Sequence, residues 1–306
     1  AARPPPRPPP RLPAACDGFE DLGLYSQLRR DLARYAVMSR GQRALYTNFC
    51  ARRKRACATL RAVGGAVYVV DLFPGYQSRL RATLLAVYRA LQRLGPTADT
   101  EVVVDFTDGE LQNIDLPVLV ITHRAARPAG VLYPDFTFYS WPESACPPSE
   151  PSHAYAALAD AFARNWTQRA APWRNRSDTL FWRGARVDDA GAREAALRHL
   201  QSVPGADAKF ITWRAVSAVG HNHAPGCVGL LEQCKHRYLA FLAGTTYSSR
   251  LKYQLFCGST VLAARPEFVE WWTHLLRPGR EYAEVRRDWS DAAEALAALR
   301  GRPARA

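Results

Sequence analysis

The segment EVVVDFTDGE, residues 101–110, places a carboxylate just beyond an apolar run. The run predicts a buried parallel strand, and open α/β sheets bind ligands beyond the carboxyl ends of such strands. Asp108 is therefore a candidate general base, which takes a proton from a nucleophile. The alternative interpretation is structural, because Asp-Gly is a common turn pair. Asp105, Asp108 and Glu110 together match no standard spacing of a metal-binding loop.

Cationic side chains follow a second predicted strand end, in FWRGARVDDAGAR at residues 181–193. Arg183 is a candidate substrate contact at the end of the strand. Arg186 and Arg193 are expected near the turn and the helix that follow it, where fork-shaped guanidinium groups can hold a phosphate. The acidic pair between them is equally typical of ordinary charge at a helix N-terminus.

The third segment is AGTTYSSRLKYQLFCGS, residues 243–259, in which a strand ends, a hydroxyl-rich loop follows and a helix is predicted from about Ser248. The backbone N–H groups at that helix start, the hydroxyls and Arg250 together predict an anion site. Arg250 and Lys252 oppose the helix dipole and so need a nearby anion. The alternative is an ordinary N-cap by Ser248 with solvated cations. The spacing fits neither a Walker loop nor a dinucleotide-binding turn.

The composition of the 306 residues, 48% hydrophobic and 23% charged, excludes a wholly disordered or fibrous chain. No apolar run reaches 18 residues, so no membrane span is predicted. The net charge of +13 fits an anionic partner. A nucleic-acid-binding module is the weakest of the interpretations considered, because the arginines are dispersed and no nucleic-acid motif is present. We expect no nucleic-acid partner.

Seven cysteines form no CxxC pair and no zinc-finger spacing with histidine, so no structural zinc site is predicted. Their odd number leaves one thiol free or paired outside the chain. The sequons Asn165-Trp166-Thr167 and Asn175-Arg176-Ser177 favour a secretory compartment and make Asn165 and Asn175 candidate glycosylation sites. No signal peptide is visible within the sequence, which starts with Ala, and we expect the chain to be part of a longer precursor.

Alternating strands and helices must position these residues. A helical pattern that starts after Asp17 places five side chains near one face: Leu22, Leu24, Leu28, Leu32 and Tyr35. Strands are predicted at 61–70 (two, around a Gly-Gly turn), 101–106, 116–123, 179–184, 209–213, 236–244, 260–264 and 281–285. Further helices are predicted at 76–94, 154–165, 189–200, 267–276 and 290–300, besides the one near Ser248.

This alternation indicates an α/β protein with mostly parallel sheets. Residues 1–15 are rich in proline and arginine and are predicted to be an extended linker or stem, the alternative being a docking motif for a proline-binding domain. The proline-rich stretch 142–152 is the natural boundary between two units, 16–150 and 151–306, with a cleft between them.

Taken in order, these segments resemble glycosyltransferase family 90, which contains the Rumi-like protein O-glucosyltransferases and the capsule-associated xylosyltransferases of fungi. The resemblance runs from about Cys50 to Arg300. Its markers are VVVDFTD, YPDFTFYSWPE, TLFWRG followed by Arg193, and CKHRYLAFLAGTTYSSRLKYQLFCGSTVL. The last marker is long and specific.

The resemblance implies a GT-B-like fold: two Rossmann-like halves facing a cleft, with the acceptor on the N-terminal half and the sugar nucleotide on the C-terminal half. Asp108 falls on the family's catalytic aspartate, and Cys234 and Cys257 fall on a family disulfide. Phe136 and Phe138 fall near donor and acceptor. The family's donor contacts fall on Arg193, Thr245, Thr246, Tyr247, Ser248, Ser249 and Arg250.

The implied activity is an inverting, metal-independent transfer of glucose or xylose from a UDP-sugar to a hydroxyl of a protein serine or a glycan. No metal or other cofactor is expected, since the chain lacks the Asp-x-Asp with which metal-dependent glycosyltransferases bind their ion. With the sequons and the disulfide, the resemblance implies a location in the lumen of the endoplasmic reticulum or Golgi. It also implies that the family domain continues beyond Ala306.

Two departures from the family pattern bear on the acceptor side. Asp108 is followed by Gly109-Glu110 instead of Trp-Pro, and Asp71 stands at about the first position of a cysteine pair found in the animal enzymes. Recognition of an epidermal-growth-factor-like repeat is therefore not transferred to this chain. The departure at Asp108 supports the alternative function, a catalytically inactive relative that acts as a glycan-binding or adaptor protein.

Overall fold

A computed structural model of the chain describes residues 23, 25–35, 38–53, 56–75, 77–94, 99–111, 115–141, 155, 173–186, 191–211 and 228–301. Several predicted features lie outside these residues: the stretch 1–15, the boundary at 142–152, the helix at 154–165 apart from Tyr155, and Asn165. We call the described residues up to 141 the N-terminal half and those from 173 onward the C-terminal half.

The N-terminal half is built on a mixed sheet. Its described strands are β1 (Cys57–Val63), β2 (Ala66–Phe73), β3 (Thr100–Asp105), β4 (Leu119–Val120), β5 (His123–Arg124) and β6 (Val131–Leu132). The sheet has the order β2-β1-β3-β4-β6, with β1 antiparallel to both β2 and β3, and with β3, β4 and β6 parallel. The carboxyl ends of β3 and β6 therefore lie at one edge of the sheet.

Local sequence explains the first two strands and the long helix of this half. Gly64 and Gly65 have φ of 56° and 81°, the left-handed conformations that a two-residue hairpin turn requires, which confirms the predicted hairpin. The helix predicted at 76–94 is also confirmed, with Leu80 against one face of the sheet. The described helices of the half are α1 (Ser26–Ala33), α2 (Arg40–Thr47), α3 (Phe49–Arg53) and α4 (Gln77–Leu94).

The apolar face predicted for the first helix is not its buried face. Leu32 of α1 is 50% exposed, whereas Asp31 is fully buried. Strand β6 lies at the edge of the sheet, and Asp31 accepts a hydrogen bond of 3.1 Å from the backbone N–H of its Leu132. A buried backbone N–H needs such a partner, so a polar requirement decides how α1 docks.

The C-terminal half is built on a parallel sheet. Its described strands are β7 (Ser177–Ala185), β8 (Ala206–Ile211), β9 (His236–Phe241), β10 (Thr260–Ala264), β11 (Phe268–Val269) and β12 (Ala283–Val285), and its helices are α5 (Ala192–Gln201), α6 (Arg250–Phe256) and α7 (Ala292–Arg300). The order is β12-β10-β9-β7-β8, and every neighbouring pair is parallel. One face packs against α5 and α7 through Leu200 and Leu296, the other against α6 through Leu251. The α/β class is thus confirmed.

The helix predicted at 267–276 is wrong. The segment forms β11, which pairs antiparallel with β5 of the N-terminal half, and a short 3₁₀ helix at Thr273–Leu275. Val269 packs against the core of the N-terminal half, Trp272 belongs to the core of the C-terminal half, and Trp271 packs against both. Adjacent side chains that serve two cores cannot share one apolar stripe of a helix.

Two disulfides are present among the described residues. The Cys234–Cys257 pair implied by the family resemblance is confirmed, and it encloses β9 and α6. The second joins Cys50 of α3 to Cys57 at the start of β1, a pairing that sequence reasoning left open. In the part of the chain that the structure describes, no helix is both long and apolar enough to cross a membrane.

Candidate active site

The carboxyl edges of the two sheets meet at residues 242–249, which follow β9 and which we call the β9 loop. The Oγ1 of Thr246 donates a hydrogen bond to the backbone carbonyl of Asp108. The Oγ of Ser249 donates to Oδ2 of Asp135 at 2.7 Å. Asp108 follows β3 and Asp135 follows β6, so the C-terminal half contacts the N-terminal half at the edge where α/β sheets bind ligands.

Asp108 presents an accessible carboxylate at this contact between the two halves, which we call the seam. Its side chain is 54% exposed, and its Oδ1 lies 3.3 Å from Nη1 of Arg79 on α4. The guanidinium carbon of Arg79 in turn lies 5.2 Å from the centre of the Phe136 ring. An accessible carboxylate beside a cation can accept a proton from an incoming hydroxyl. The sequence did not identify Arg79 as a site residue, because it is one of several arginines on an amphipathic helix.

Arg250 opens α6 on the other side of the β9 loop. Its Nη1 donates to the carbonyl of Arg183, and its guanidinium carbon lies 5.7 Å from the centre of the Trp182 ring. Burial, with the charge of Arg193 nearby, lowers the pKa of Arg250 to about 9. Within the described residues no carboxylate forms an ion pair with Arg250. A partly buried cation that has no carboxylate partner favours an anionic ligand, because a nearby negative charge stabilises its charged form.

Arg193, on α5, lies beside Arg250 and is buried. It donates to three backbone carbonyls: to Ala243 at 2.6 Å, to Ala185 at 2.7 Å and to Leu242 at 3.2 Å. These carbonyls stand at the carboxyl ends of β7 and β9. Arg193 therefore joins the two strand ends and the β9 loop, and it adds a second positive charge behind the loop.

The Arg183 guanidinium does not join Arg250 and Arg193. It pairs with Asp207 of β8 at 2.5 Å and lies 4.4 Å from the centre of the Phe181 ring. Arg183 contributes to the seam only through its backbone carbonyl, which accepts a hydrogen bond from Arg250.

The two candidate phenylalanines diverge. Phe136 packs beside Tyr247 of the β9 loop in a small apolar cluster. Phe138 lines a separate cavity of about 340 Å³ with Lys252 and Trp271. The aromatic segment therefore reaches the seam through Phe136.

The β9 loop departs from the expectation of a capped helix. Helix α6 begins at Arg250, and its N-cap residue is Ser249 instead of Ser248 and supplies no side-chain cap. The hydroxyls serve other partners: Ser249 and Tyr247 both donate to Asp135, and the Ser248 hydroxyl lies 3.5 Å from Nε of Arg250. Thr245 is exposed at the tip of the loop.

A buried cluster of charges behind the loop was also missed. Lys252 lies 3.1 Å from Oδ1 of Asp135 and 3.7 Å from Oε1 of Glu270, and all three residues are buried. Burial, together with the charge of Asp135, raises the pKa of Glu270 to about 8 against the opposing effect of Lys252. The anion that Lys252 needs is thus supplied by the protein, whereas no carboxylate among the described residues pairs with Arg250.

Asn175 lies exposed in a 3₁₀ helix at Trp173–Asn175. Among the described residues, no group of three or more His, Cys, Asp and Glu side chains is arranged to hold a metal ion.

A family model described as Glycosyl transferase family 90 matches residues 22–306. Protein O-glucosyltransferase 1 of Rattus norvegicus is 26% identical over 235 residues, 74% of this chain and 57% of the rat protein. The protein of the same name in Homo sapiens is 24% identical over 216 residues, 67% of this chain and 54% of the human protein. O-glucosyltransferase rumi of Drosophila pseudoobscura pseudoobscura is 26% identical over 161 residues, 51% of this chain and 38% of the fly protein. The chain spans about half the length of the rat and human relatives.

Proposed function

We propose that this chain, which belongs to glycosyl transferase family 90, transfers a sugar from a UDP-sugar to an acceptor hydroxyl with inversion and without a metal ion. One observation carries the proposal. The accessible carboxylate of Asp108 and the partly buried guanidinium of Arg250 flank a single loop, and Thr246 of that loop is hydrogen-bonded to the Asp108 backbone.

The donor side requires stabilisation of a departing diphosphate. Arg250 and Arg193 place two cations beside the β9 loop, and the Ser248 hydroxyl of that loop lies beside Arg250. When the bond from the anomeric carbon to the diphosphate oxygen breaks, its electron pair stays on UDP. Fixed cations near that oxygen stabilise the charge, and the loss of one such group commonly costs about 10²–10³ in rate.

The acceptor side requires a base. The acceptor hydroxyl forms a bond to the anomeric carbon from the face opposite the diphosphate, and its proton passes to the Asp108 carboxylate. This single displacement inverts the anomeric centre, and general-base catalysis contributes about 10²–10⁴-fold. Arg79 orients the carboxylate through its contact at 3.3 Å.

The relatives named as O-glucosyltransferases support glucose as the donated sugar, with xylose as the other candidate, and a protein serine or a glycan as the acceptor. The two disulfides support a secretory compartment, and we assign the lumen of the endoplasmic reticulum or Golgi. Two sheets with facing carboxyl edges support a GT-B arrangement.

The alternative function is an inactive family member that binds glycans or acts as an adaptor. One observation favours it: Asp108 is followed by Gly109-Glu110, and its carboxylate is held by Arg79 in the free protein. An inactive relative of this kind can keep UDP affinity or lose it, but it gives no transfer.

The test is calorimetric titration with UDP in metal-free buffer, with ATP as the control nucleotide, combined with transfer assays using UDP-glucose and UDP-xylose. We expect selective UDP binding. Asp108→Asn should lower transfer by at least about 10²-fold and leave UDP affinity nearly unchanged. Arg250→Ala should weaken UDP binding about tenfold, whereas Arg277→Ala, which removes an exposed arginine paired with Glu281, should not.

A different experimental result would contradict each part of the proposal. Full transfer by Asp108→Asn removes Asp108 from the base role, and unchanged UDP affinity in Arg250→Ala removes Arg250 from the donor site. A folded wild-type chain that binds UDP but gives no transfer to protein or glycan acceptors favours the inactive relative. A folded chain that does not bind UDP rejects the proposed donor site.

A further inference from the structure

Asp135 is a buried carboxylate of the N-terminal half whose partners come mainly from the C-terminal half. It is 2% exposed and lies just beyond the end of β6. Its Oδ2 accepts from Ser249 at 2.7 Å and from Tyr247 at 3.2 Å, both in the β9 loop. Its Oδ1 accepts from the neighbouring Thr137 at 2.9 Å, which fixes the orientation of the carboxylate.

The same carboxylate also holds helix α6. Lys252 lies 3.1 Å from Oδ1 and 3.3 Å from Oδ2 of Asp135. Tyr253 on the next position donates to the carbonyl of Thr137 at 2.8 Å. The loop and the first turn of the helix are therefore fastened to one short segment of the N-terminal half.

A second attachment lies at the other end of this edge. Thr246 is bonded to the carbonyl of Asp108, which follows β3, while Asp135 follows β6. Strands β3, β4 and β6 are hydrogen-bonded neighbours in one sheet, so the two attachment points are held at a constant separation. Through them the sheet sets where the β9 loop and Arg250 stand relative to the Asp108 carboxylate.

We propose that Asp135 is a positioning residue of the transfer reaction, which fixes the β9 loop against the Asp108 segment so that donor and base meet in the reactive geometry. This role rests on the proposed function. Asp135 itself is buried and does not touch the reacting atoms. A displacement of about 1 Å of reacting groups can cost about 10²-fold in rate, so the carboxylate acts on turnover from a distance.

The experiment compares Asp135→Asn with the wild-type chain by steady-state kinetics, UDP calorimetry and hydrogen–deuterium exchange of the free protein. Asparagine keeps the shape and one acceptor oxygen but removes the Asp135 charge from beside Lys252. We expect kcat to fall about 10–10²-fold, UDP affinity to fall less than kcat, and the amides of residues 245–251 to exchange faster. Wild-type kcat in this variant with unchanged exchange would overturn the positioning role.

Asp31→Asn is the matched control for a general loss of stability, because Asp31 is another fully buried carboxylate of the N-terminal half, and its hydrogen bonds with Gln27, Arg34 and Leu132 involve no residue of the β9 loop. It should lower the melting temperature and leave kcat unchanged. An equal loss of kcat in both variants contradicts the proposal.

Two less disruptive variants, Ser249→Ala and Ser259→Ala, test the proposal if Asp135→Asn does not fold. Ser249→Ala removes one hydroxyl bond to Asp135 and should lower kcat about 3–10-fold, which corresponds to a hydrogen bond worth about 1 kcal/mol. Ser259→Ala removes a hydroxyl bonded to His236 and Arg176, outside the β9 loop, and should leave kcat unchanged. Equal effects of the two variants reject the positioning role. A folded wild-type chain with neither UDP binding nor transfer instead rejects the proposed function itself.

Discussion

At the scale of single residues, the position of the Arg250 guanidinium depends on the absence of a side chain at residue 184. A Cβ on Gly184 would lie 2.9 Å from Nη2 of Arg250 and 2.5 Å from a ring carbon of Trp182. Trp182 is 1% exposed, so its clash with the added Cβ strains the core, and the clash with Arg250 is relieved only by a shift of the flexible guanidinium. Gly184→Ala should therefore lower stability by about 1–3 kcal/mol and weaken UDP binding about tenfold, measured by thermal unfolding and calorimetry.

Gly41→Ala is the matched control for this change. Gly41 lies inside α2, and an added Cβ there meets nothing closer than 4.0 Å. Alanine is the better helix former, so this variant should be as stable as the wild type or more stable by about 0.5–1 kcal/mol, with unchanged UDP binding. Unaltered UDP affinity in Gly184→Ala would show that Arg250 does not need this contact.

At the scale of elements, the Cys234–Cys257 disulfide closes the strand–loop–helix unit that contains the β9 loop. Replacing both cysteines by serine should lower the free energy of unfolding by about 3 kcal/mol, because the unfolded chain regains the entropy of an open loop. It should also weaken UDP binding, since β9 and α6 are no longer joined at their outer ends. Urea unfolding followed by UDP titration measures both effects.

The Cys50–Cys57 disulfide provides the comparison, because it joins α3 to β1 within the N-terminal half and encloses no part of the β9 loop. Its removal should also destabilise the chain by about 2–3 kcal/mol. UDP affinity should remain that of the wild type. If both double variants lose UDP affinity equally, the effect belongs to overall stability and not to the loop.

At the scale of the whole molecule, the buried Glu270 links stability to pH. Burial, with Asp135 nearby, raises its pKa from an ordinary value of 4.5 to about 8, against the attraction of Lys252. Between these values the folded chain holds a proton that the unfolded chain releases. The contribution of Glu270 is therefore complete below about pH 4.5 and is lost as the pH rises through 8.

The prediction is that Glu270→Gln loses this pH dependence, because a neutral amide mimics the protonated acid. His236, whose pKa is lowered by burial, contributes a slope of opposite sign near its ordinary value of 6.5, so the difference between wild type and variant isolates Glu270. Urea unfolding from pH 5 to 8 measures that difference. Identical slopes in the two proteins would contradict a protonated Glu270 in the fold.

Much of the fold and one side of the site could be predicted from the sequence. The Gly64-Gly65 hairpin and helix α4 follow from local pattern, because glycine conformations and apolar periodicity act within a few residues. The family resemblance identified the Cys234–Cys257 pair and pointed to the loop that meets the Asp108 segment. Each of these features depends on residues within one short stretch of the sequence, so it can be predicted without knowledge of the fold.

Only the tertiary structure decided which charges pair inside the protein and which lie at the contact between the two halves without a carboxylate partner among the described residues. Lys252 and Arg250 stand two residues apart and look alike in sequence, yet Lys252 pairs with Asp135, 117 positions away, while Arg250 lies at the seam. The same holds for Asp31, which caps a strand edge 101 residues away, and for the segment 267–276, which becomes a strand that joins the two halves. Such partners come together only when the fold brings strand ends that are distant in sequence to the same edge of a sheet. A local sequence pattern therefore does not predict these contacts.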